Sequence, residues 1–394
     1  MFISSIETFL LETPFEPGFG WSQGWTESRH VGLVKVTTDD GVVGWGEGIR
    51  GPAARQIHEG FAPLLLGTDP MQRNGLWQKM YQTLYNNNDA MGIGGNAMSA
   101  VDTALWDIAG KASGLPVSAL LGGRVRERVA VYATGLYYLE EGIAAASAGS
   151  PFPQQLLDEA RSYVERGFAG MKTKVGRLAL AQDVRRVAAI REAIGPDIFL
   201  MVDANQAYNA TTAIRIGREL ADLDIYWFEE PVNATDVEGY LQVKGALPMA
   251  IAGGENLRTR YVFKDYIGRR AVDIVQPDVI NVGGITEMHR VASMANAFGI
   301  LCNPHVWGSP VMTAATLHVA AAVPACPPAY VPRPYQQEPV MEFDRTPSPI
   351  REGIAEPLNQ VGGFLDVPTG PGLGIEVDEA AVRGLSVDIQ RTSS

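Results

Sequence analysis

Ile198-Phe199-Leu200-Met201-Val202-Asp203, Ile225-Tyr226-Trp227-Phe228-Glu229 and Ala250-Ile251-Ala252-Gly253-Gly254-Glu255 are three apolar runs that each end on an acid. The acids are evenly spaced, 26 residues apart twice (229 − 203 and 255 − 229). Short, near-continuous apolar runs separated by amphipathic stretches read as parallel strands covered on both faces. The alternation extends outward in both directions. Val129–Thr134, Gly170–Val175, Val272–Gln276, Ile300–Asn303 and Pro339–Phe343 read as further strands. Gln154–Arg166, Leu178–Ala193, Ala210–Leu223, Arg258–Tyr266 and Glu287–Phe298 read as the helices between them. Eight such strands predict a closed α/β barrel. An open doubly wound sheet is the competing architecture, and no Gly-x-Gly-x-x-Gly turn follows the first strand to support it.

Residues 1–125 have a different texture and predict an α+β domain. Phe2–Glu12 and His30–Val36 read as strands, Asp39-Asp40-Gly41 as a hairpin turn, and Val42–Glu47 as the returning strand. Helices follow at Ala53–Leu66, Met71–Leu84 and Asn96–Ser113, the last ended by Gly114-Leu115-Pro116. The barrel is expected over 126–350. Residues 351–394, looser and rich in Pro and Gly, are expected to pack back on the first domain.

The formal net charge of −12 disfavours a nucleic-acid partner. The longest apolar run, Val311 to Cys326, is interrupted by His318 and Pro324 and is too short for a membrane span. Two cysteines make no disulfide framework, and no export signal opens the chain, so a cytoplasmic setting is expected.

The chemistry sits at the strand ends, where barrel enzymes place it. Asp203, Glu229 and Glu255 would share one rim of the barrel. Oxygen ligands with room left for water or substrate suit Mg²⁺. Singly, each acid also reads as a helix cap. Lys172 and Lys174 flank Thr173, so strand alternation turns both to one face. If that face is buried, each lysine is expected to depress the other's pKa, which makes a base. A surface strand with two solvated lysines is the bland alternative. Asp278 and His305 follow the next two strands, and an Asp behind a His fixes its tautomer and raises its basicity. Glu342, between apolar neighbours, is expected to hold its proton. Together these groups suit removal of a proton α to a carboxylate, a step that builds charge a cation and an acid would stabilise. Lys174 and His305 are the candidate bases.

With these residues in place, the chain resembles the mandelate racemase subgroup of the enolase superfamily. The resemblance runs through Gly95–Asp107, Lys172-Thr173-Lys174, Asp203-Ala204-Asn205-Gln206, Trp227-Phe228-Glu229-Glu230-Pro231, Gly253-Gly254-Glu255, Gln276-Pro277-Asp278 and Pro304-His305-Val306-Trp307-Gly308. It implies a (β/α)7β TIM-like barrel with an α+β N-terminal capping domain completed by the C-terminal tail, and a homo-oligomer. It implies Asp203, Glu229 and Glu255 as Mg²⁺ ligands and Lys174 and His305 as bases on opposite faces. It assigns Lys172 to the substrate carboxylate, Glu342 to the enediolate oxygen, and Asn205 and Trp307 to substrate binding. Glu230 is expected to be structural and ion-paired.

Specificity in such proteins comes from the cap. Gly18–His30 is expected to be a loop carrying Trp21, Trp25 and Arg29, with Arg29 a candidate for a distal carboxylate. Asn86–Asp89 is a second candidate. Within the subgroup the likeness is to aldarolactone cycloisomerases and acid-sugar dehydratases, which implies a small carboxylate substrate and β-elimination after proton removal. Racemisation or epimerisation would use the same two bases. A non-catalytic barrel would be expected to have lost a ligand or a base, and none is lost.

Overall fold

The computed structural model describes residues 1–48, 51–86 and 89–393. Among them, β4 (Arg128–Thr134), β5 (Gly170–Lys174), β6 (Phe199–Asp203), β7 (Ile225–Glu229), β8 (Ala250–Gly253), β9 (Ile274–Val275), β10 (Leu301–Cys302) and β11 (Val340–Asp344) form one parallel sheet. The order is β10-β9-β8-β7-β6-β5-β4-β11. The two ends approach through Val340 N–H, which donates to Asn303 Oδ1 at 3.1 Å, and Glu342 N–H, which donates to the Pro304 carbonyl at 3.3 Å. The sheet is therefore a nearly closed barrel, as the alternating pattern predicts.

The strands are apolar throughout because lumen and helix layer both exclude water. Every residue of β5 is buried, the two lysines included. Tyr132 and Trp227 fill the lumen edge to face, with ring centroids 5.1 Å apart, and form the floor beneath the charged layer. Two of the helices that follow the strands carry side-chain caps at consecutive units: Asn209 accepts from Thr212 N–H, Asp236 from Gly239 N–H. After β11 only one turn, Pro349–Gly353, follows, so the last β/α unit lacks a full helix.

The cap is an antiparallel sheet, β1 (Ile3–Gly20), β2 (Trp25–Thr38) and β3 (Val43–Glu47), with helices packed on it. The long helix Ile93–Ser113 is buried along most of its length. Two expectations change here. The predicted loop Gly18–His30 is mostly strand: β1 and β2 pair as far as Phe19↔Thr26 and Gly20↔Trp25. The segment 351–394 does not pack on the cap alone. Its strand β12 (Phe364–Asp366) pairs antiparallel with barrel strand β4, and its strand β13 (Ser386–Ser393) pairs with β1 of the cap, Ser5 opposite Ser393.

Candidate active site

Strand alternation delivers the predicted residues to one place. Lys172 and Lys174 of β5, Asp203 ending β6, Glu229 ending β7 and Glu342 of β11 point into the lumen above the Tyr132–Trp227 floor. Lys172 Nζ donates to Glu229 Oε1 at 2.5 Å and lies 3.1 Å from Glu342 Oε1 and 3.6 Å from Asp203 Oδ2. Lys174 Nζ donates to Asp203 Oδ2 at 2.5 Å. Glu255 arrives by a turn at Gly254, where φ is +133° and a Cβ would press on Phe263 at 2.9 Å. Only glycine adopts that turn without strain.

On the other side of the mouth, the ends of β9 and β10 bring Asp278 and His305 into a parallel bridge. His305 Nδ1 is 2.7 Å from Asp278 Oδ2, and Asp278 Oδ1 accepts from Ile280 N–H at 2.8 Å. His305 Nε2 faces inward, 3.4 Å from both Glu255 Oε2 and Glu342 Oε2. Lysine and imidazole thus approach the carboxylates from β5 and β10, strands set apart around the barrel.

Charge states depart from the sequence reading in three places. The lysines do not depress each other on balance. Burial lowers both pKa values, but Glu229, Glu342 and Asp203 outweigh it at Lys172, and Asp203, Glu255 and Glu229 outweigh burial and the neighbouring Lys172 at Lys174, so both are raised. Glu342 does not hold its proton. Burial favours the neutral acid, yet Lys172, His305 and Lys174 draw it down to about 2. Among the described residues Glu230 has no ion pair. Its oxygens accept from Asn256 Nδ2 at 2.9 and 3.0 Å and from Gln206 Nε2 at 3.3 Å, and burial beside Glu255 and Asp203 raises its pKa. His305 loses to burial but gains more from Glu255, Glu342 and Asp278, and rises to about 10.

The donor set fits a hard divalent cation. Oxygens of Asp203, Glu229 and Glu255 lie within 4.8 Å of one another. Glu255 Oε2 is buried and, among the described residues, accepts no hydrogen bond. Glu229 is raised to about 7, first by burial and then by Asp203, Glu342 and Glu255, against the pull of Lys172.

The cap closes over this mouth. Ser22 Oγ, at the β1–β2 hairpin tip, donates to the Asp203 carbonyl at 3.1 Å, and Gln23 Nε2 to the Asn205 carbonyl at 2.5 Å. Asn205 Nδ2 donates to Asp203 Oδ2 at 3.2 Å, so it sits beside a candidate ligand. Arg29 has no exposed surface. It lies in β2, ion-paired to Asp344, with its guanidinium 3.9 Å from the centroid of the Trp307 ring. In this geometry Arg29 backs Trp307 and is not itself at the substrate surface. Trp21 and Trp25 flank the tip, and Trp25 stacks under Arg177. The Asn86–Asp89 candidate includes Asn87 and Asn88, which lie outside the described residues.

Some partners were not anticipated. Gln276 Nε2 and Trp227 Nε1 donate to Glu229 Oε2 at 2.7 and 3.0 Å, and Thr134 Oγ1 donates to Glu342 Oε1 at 2.5 Å. Alternation carries this signal, since each stands two residues from a lumen position or directly across from one. Ser22 carries no comparable signal.

Residues 5–122 match the mandelate racemase/muconate lactonizing enzyme N-terminal domain, and residues 155–381 match the enolase C-terminal domain-like family. The chain belongs to the mandelate racemase subgroup of the enolase superfamily. It is 40% identical over 392 residues, 97% of this chain and 98% of the relative, to a D-galactarolactone cycloisomerase of Agrobacterium fabrum. It resembles the structure of a 3,6-anhydro-D-galactonate cycloisomerase from Zobellia galactanivorans (TM-score 0.85, 35% identity, covering 98% of this chain and 100% of that one). A racemase from Streptomyces coelicolor A3(2) with bound magnesium is similar at TM-score 0.85 and 31% identity, covering 98% and 100%. Among the described residues no helix is long and apolar enough to cross a membrane.

Proposed function

We propose that this enzyme is a Mg²⁺-dependent acid-sugar lactone cycloisomerase. It removes the proton α to a carboxylate and eliminates the oxygen on the β-carbon. The observation that carries the reading is the pairing of an oxygen-ligand triad with two nitrogen groups, Lys174 and the Asp278-backed His305, on separate strands. The similarity to a D-galactarolactone cycloisomerase supports the lactone substrate, and the likeness to a 3,6-anhydro-D-galactonate cycloisomerase supports elimination that opens a ring through the β-oxygen.

Asp203, Glu229 and Glu255 would hold the cation, which would supply positive charge at the substrate carboxylate and relieve the lysines of their carboxylate partners. Lys172 orients that carboxylate. Lys174 Nζ or His305 Nε2, according to the α-carbon configuration, takes the proton. Lys172 steadies the enediolate oxygen, and Glu342 can donate to it only once it has taken up a proton. The electron pair left on the α-carbon forms the double bond as the β-oxygen departs, and a lactone closed through that oxygen opens to a carboxylate. The enol then takes a proton to give a 2-keto-3-deoxy acid. Trp307 and Asn205 contact the rest of the substrate.

Incubation of aldonic and aldaric acids and their lactones with enzyme and Mg²⁺ in D₂O, followed by proton NMR, tests this. A 2-keto-3-deoxy product from a lactone is expected. The same product from open acids but not lactones makes the enzyme a dehydratase. Exchange at the α-carbon without a new product makes it a racemase or epimerase, which the same two bases would serve.

A further inference from the structure

Glu47 ends β3 of the cap and is 3% exposed, yet among the described residues its carboxylate is held only by the barrel. Ser309 N–H donates to both oxygens, at 3.2 and 3.1 Å. Ser309 Oγ–H donates to Oε2 at 2.5 Å, and Met312 N–H donates to the same oxygen at 3.2 Å. Ser309 is the N-cap of the helix Pro310–Ala322, so a carboxylate from the other domain satisfies the N–H of the cap residue and the open N–H of Met312, while Ser309 Oγ takes that of Val311.

The segment between β10 and this helix is short, and it contains His305 and Trp307. Its path is pinned on both sides of Trp307. Val306 N–H donates to Glu342 Oε2 at 3.2 Å, and Ser309 is held by Glu47. Between them, Gly308 passes so close that a Cβ there would lie 2.4 Å from Glu47 Oε1. The segment therefore cannot shift towards the cap without breaking the carboxylate's bonds. It cannot shift towards the barrel axis without meeting Glu342.

We propose that Glu47 is a positioning residue: from the cap, it anchors the Val306–Ser309 segment so that His305 presents Nε2 to the substrate's α-carbon. The role rests on His305 being an acid–base residue. It makes one arm of the acid–base pair depend on cap docking, whereas Lys174 is fixed within the barrel itself. A merely structural Glu47 would affect both arms alike.

The test uses the full chain with Mg²⁺ in D₂O and two substrates epimeric at the α-carbon. His305→Asn first identifies the epimer whose proton faces the imidazole. Glu47→Gln keeps one acceptor and loses the charge. It is expected to slow exchange of that epimer by about 10- to 100-fold in kcat and to leave the other within about twofold, with KM and the Mg²⁺ titration unchanged. Equal losses on both epimers, or none, overturn the proposal. If Glu47→Gln fails to fold, Ser309→Ala removes a single donor to the same carboxylate and must show a smaller loss on the same epimer; no selective loss then overturns it. If His305→Asn itself shows no preference between epimers, the base assignment falls and this inference falls with it.

Discussion

His305 Nδ1 lies 2.7 Å from Asp278 Oδ2, and the other oxygen of Asp278 is fixed by the N–H of Ile280. The carboxylate is thus oriented by its own turn before it orients the ring. Asp278→Asn keeps the shape and removes the charge. The variant is expected to lose roughly 100-fold or more in kcat. The imidazole pKa should fall, because Asp278 is one of the groups raising it to about 10. A pH–rate profile unchanged from wild type would detach Asp278 from the chemistry.

Lys174→Ala should abolish α-proton removal from the substrate whose proton faces Lys174, and His305→Asn from the epimer whose proton faces the imidazole, while circular dichroism stays near wild type. Lys174 is the more demanding case, since its ammonium pairs with buried Asp203. Either variant turning over its own substrate at the wild-type rate removes that residue from the mechanism.

Glu255 has a buried oxygen that, among the described residues, accepts no hydrogen bond, which suits a ligand and not a structural acid. Glu255→Gln should weaken the apparent Mg²⁺ affinity by about tenfold or more, read by activity and by calorimetric titration. Chelation with EDTA should stop wild-type turnover, and added Mg²⁺ should restore it. An unchanged titration in the variant rejects the assignment.

His318 is buried in the helix Pro310–Ala322, away from the catalytic cluster. Its Nδ1 accepts from Ser118 N–H of the cap at 3.3 Å, and its Nε2 donates to the Leu373 carbonyl at 3.1 Å, so the ring is neutral. Burial lowers its pKa from 6.5 to about 4. A depressed histidine lends stability that is complete above the unfolded value and drains away as pH falls from about 6.5 towards 4. The loss amounts to about 3 kcal/mol over that window. Chemical denaturation at pH 7 and pH 4.5 should show this fall, and His318→Gln should flatten it. Parallel curves for the two proteins would place the acid sensitivity elsewhere.

The barrel is legible because strands buried on both faces, such as Ile225–Glu229, must be apolar at every position. Its site is legible because alternation puts Lys172 and Lys174 on one face whatever surrounds them. Their charge states are not legible, since the acids that raise them stand on β6, β7 and β11 and only the closed barrel brings them near. The helix Pro310–Ala322 escapes notice because it is buried almost all round and shows no amphipathic period. The segment Gly18–His30 differs from the loop that the resemblance implies because β1 runs on through Pro17, Gly18 and Gly20. Phe19 stacks on Tyr137 with centroids 4.2 Å apart and keeps the strand extended through them. Glu47 gives no local sign of its role, because its partners are more than 260 residues away.

The pairing of Ser5 with Ser393 places the first and last strands of the sequence side by side in one sheet. During synthesis, β1 must wait for its neighbour until the whole barrel has been made. The roof of the catalytic mouth is therefore finished over a floor already in place. Ser22 and Glu47 likewise meet barrel partners 181 and 262 residues further on, so the order of manufacture is also the order in which the site becomes complete.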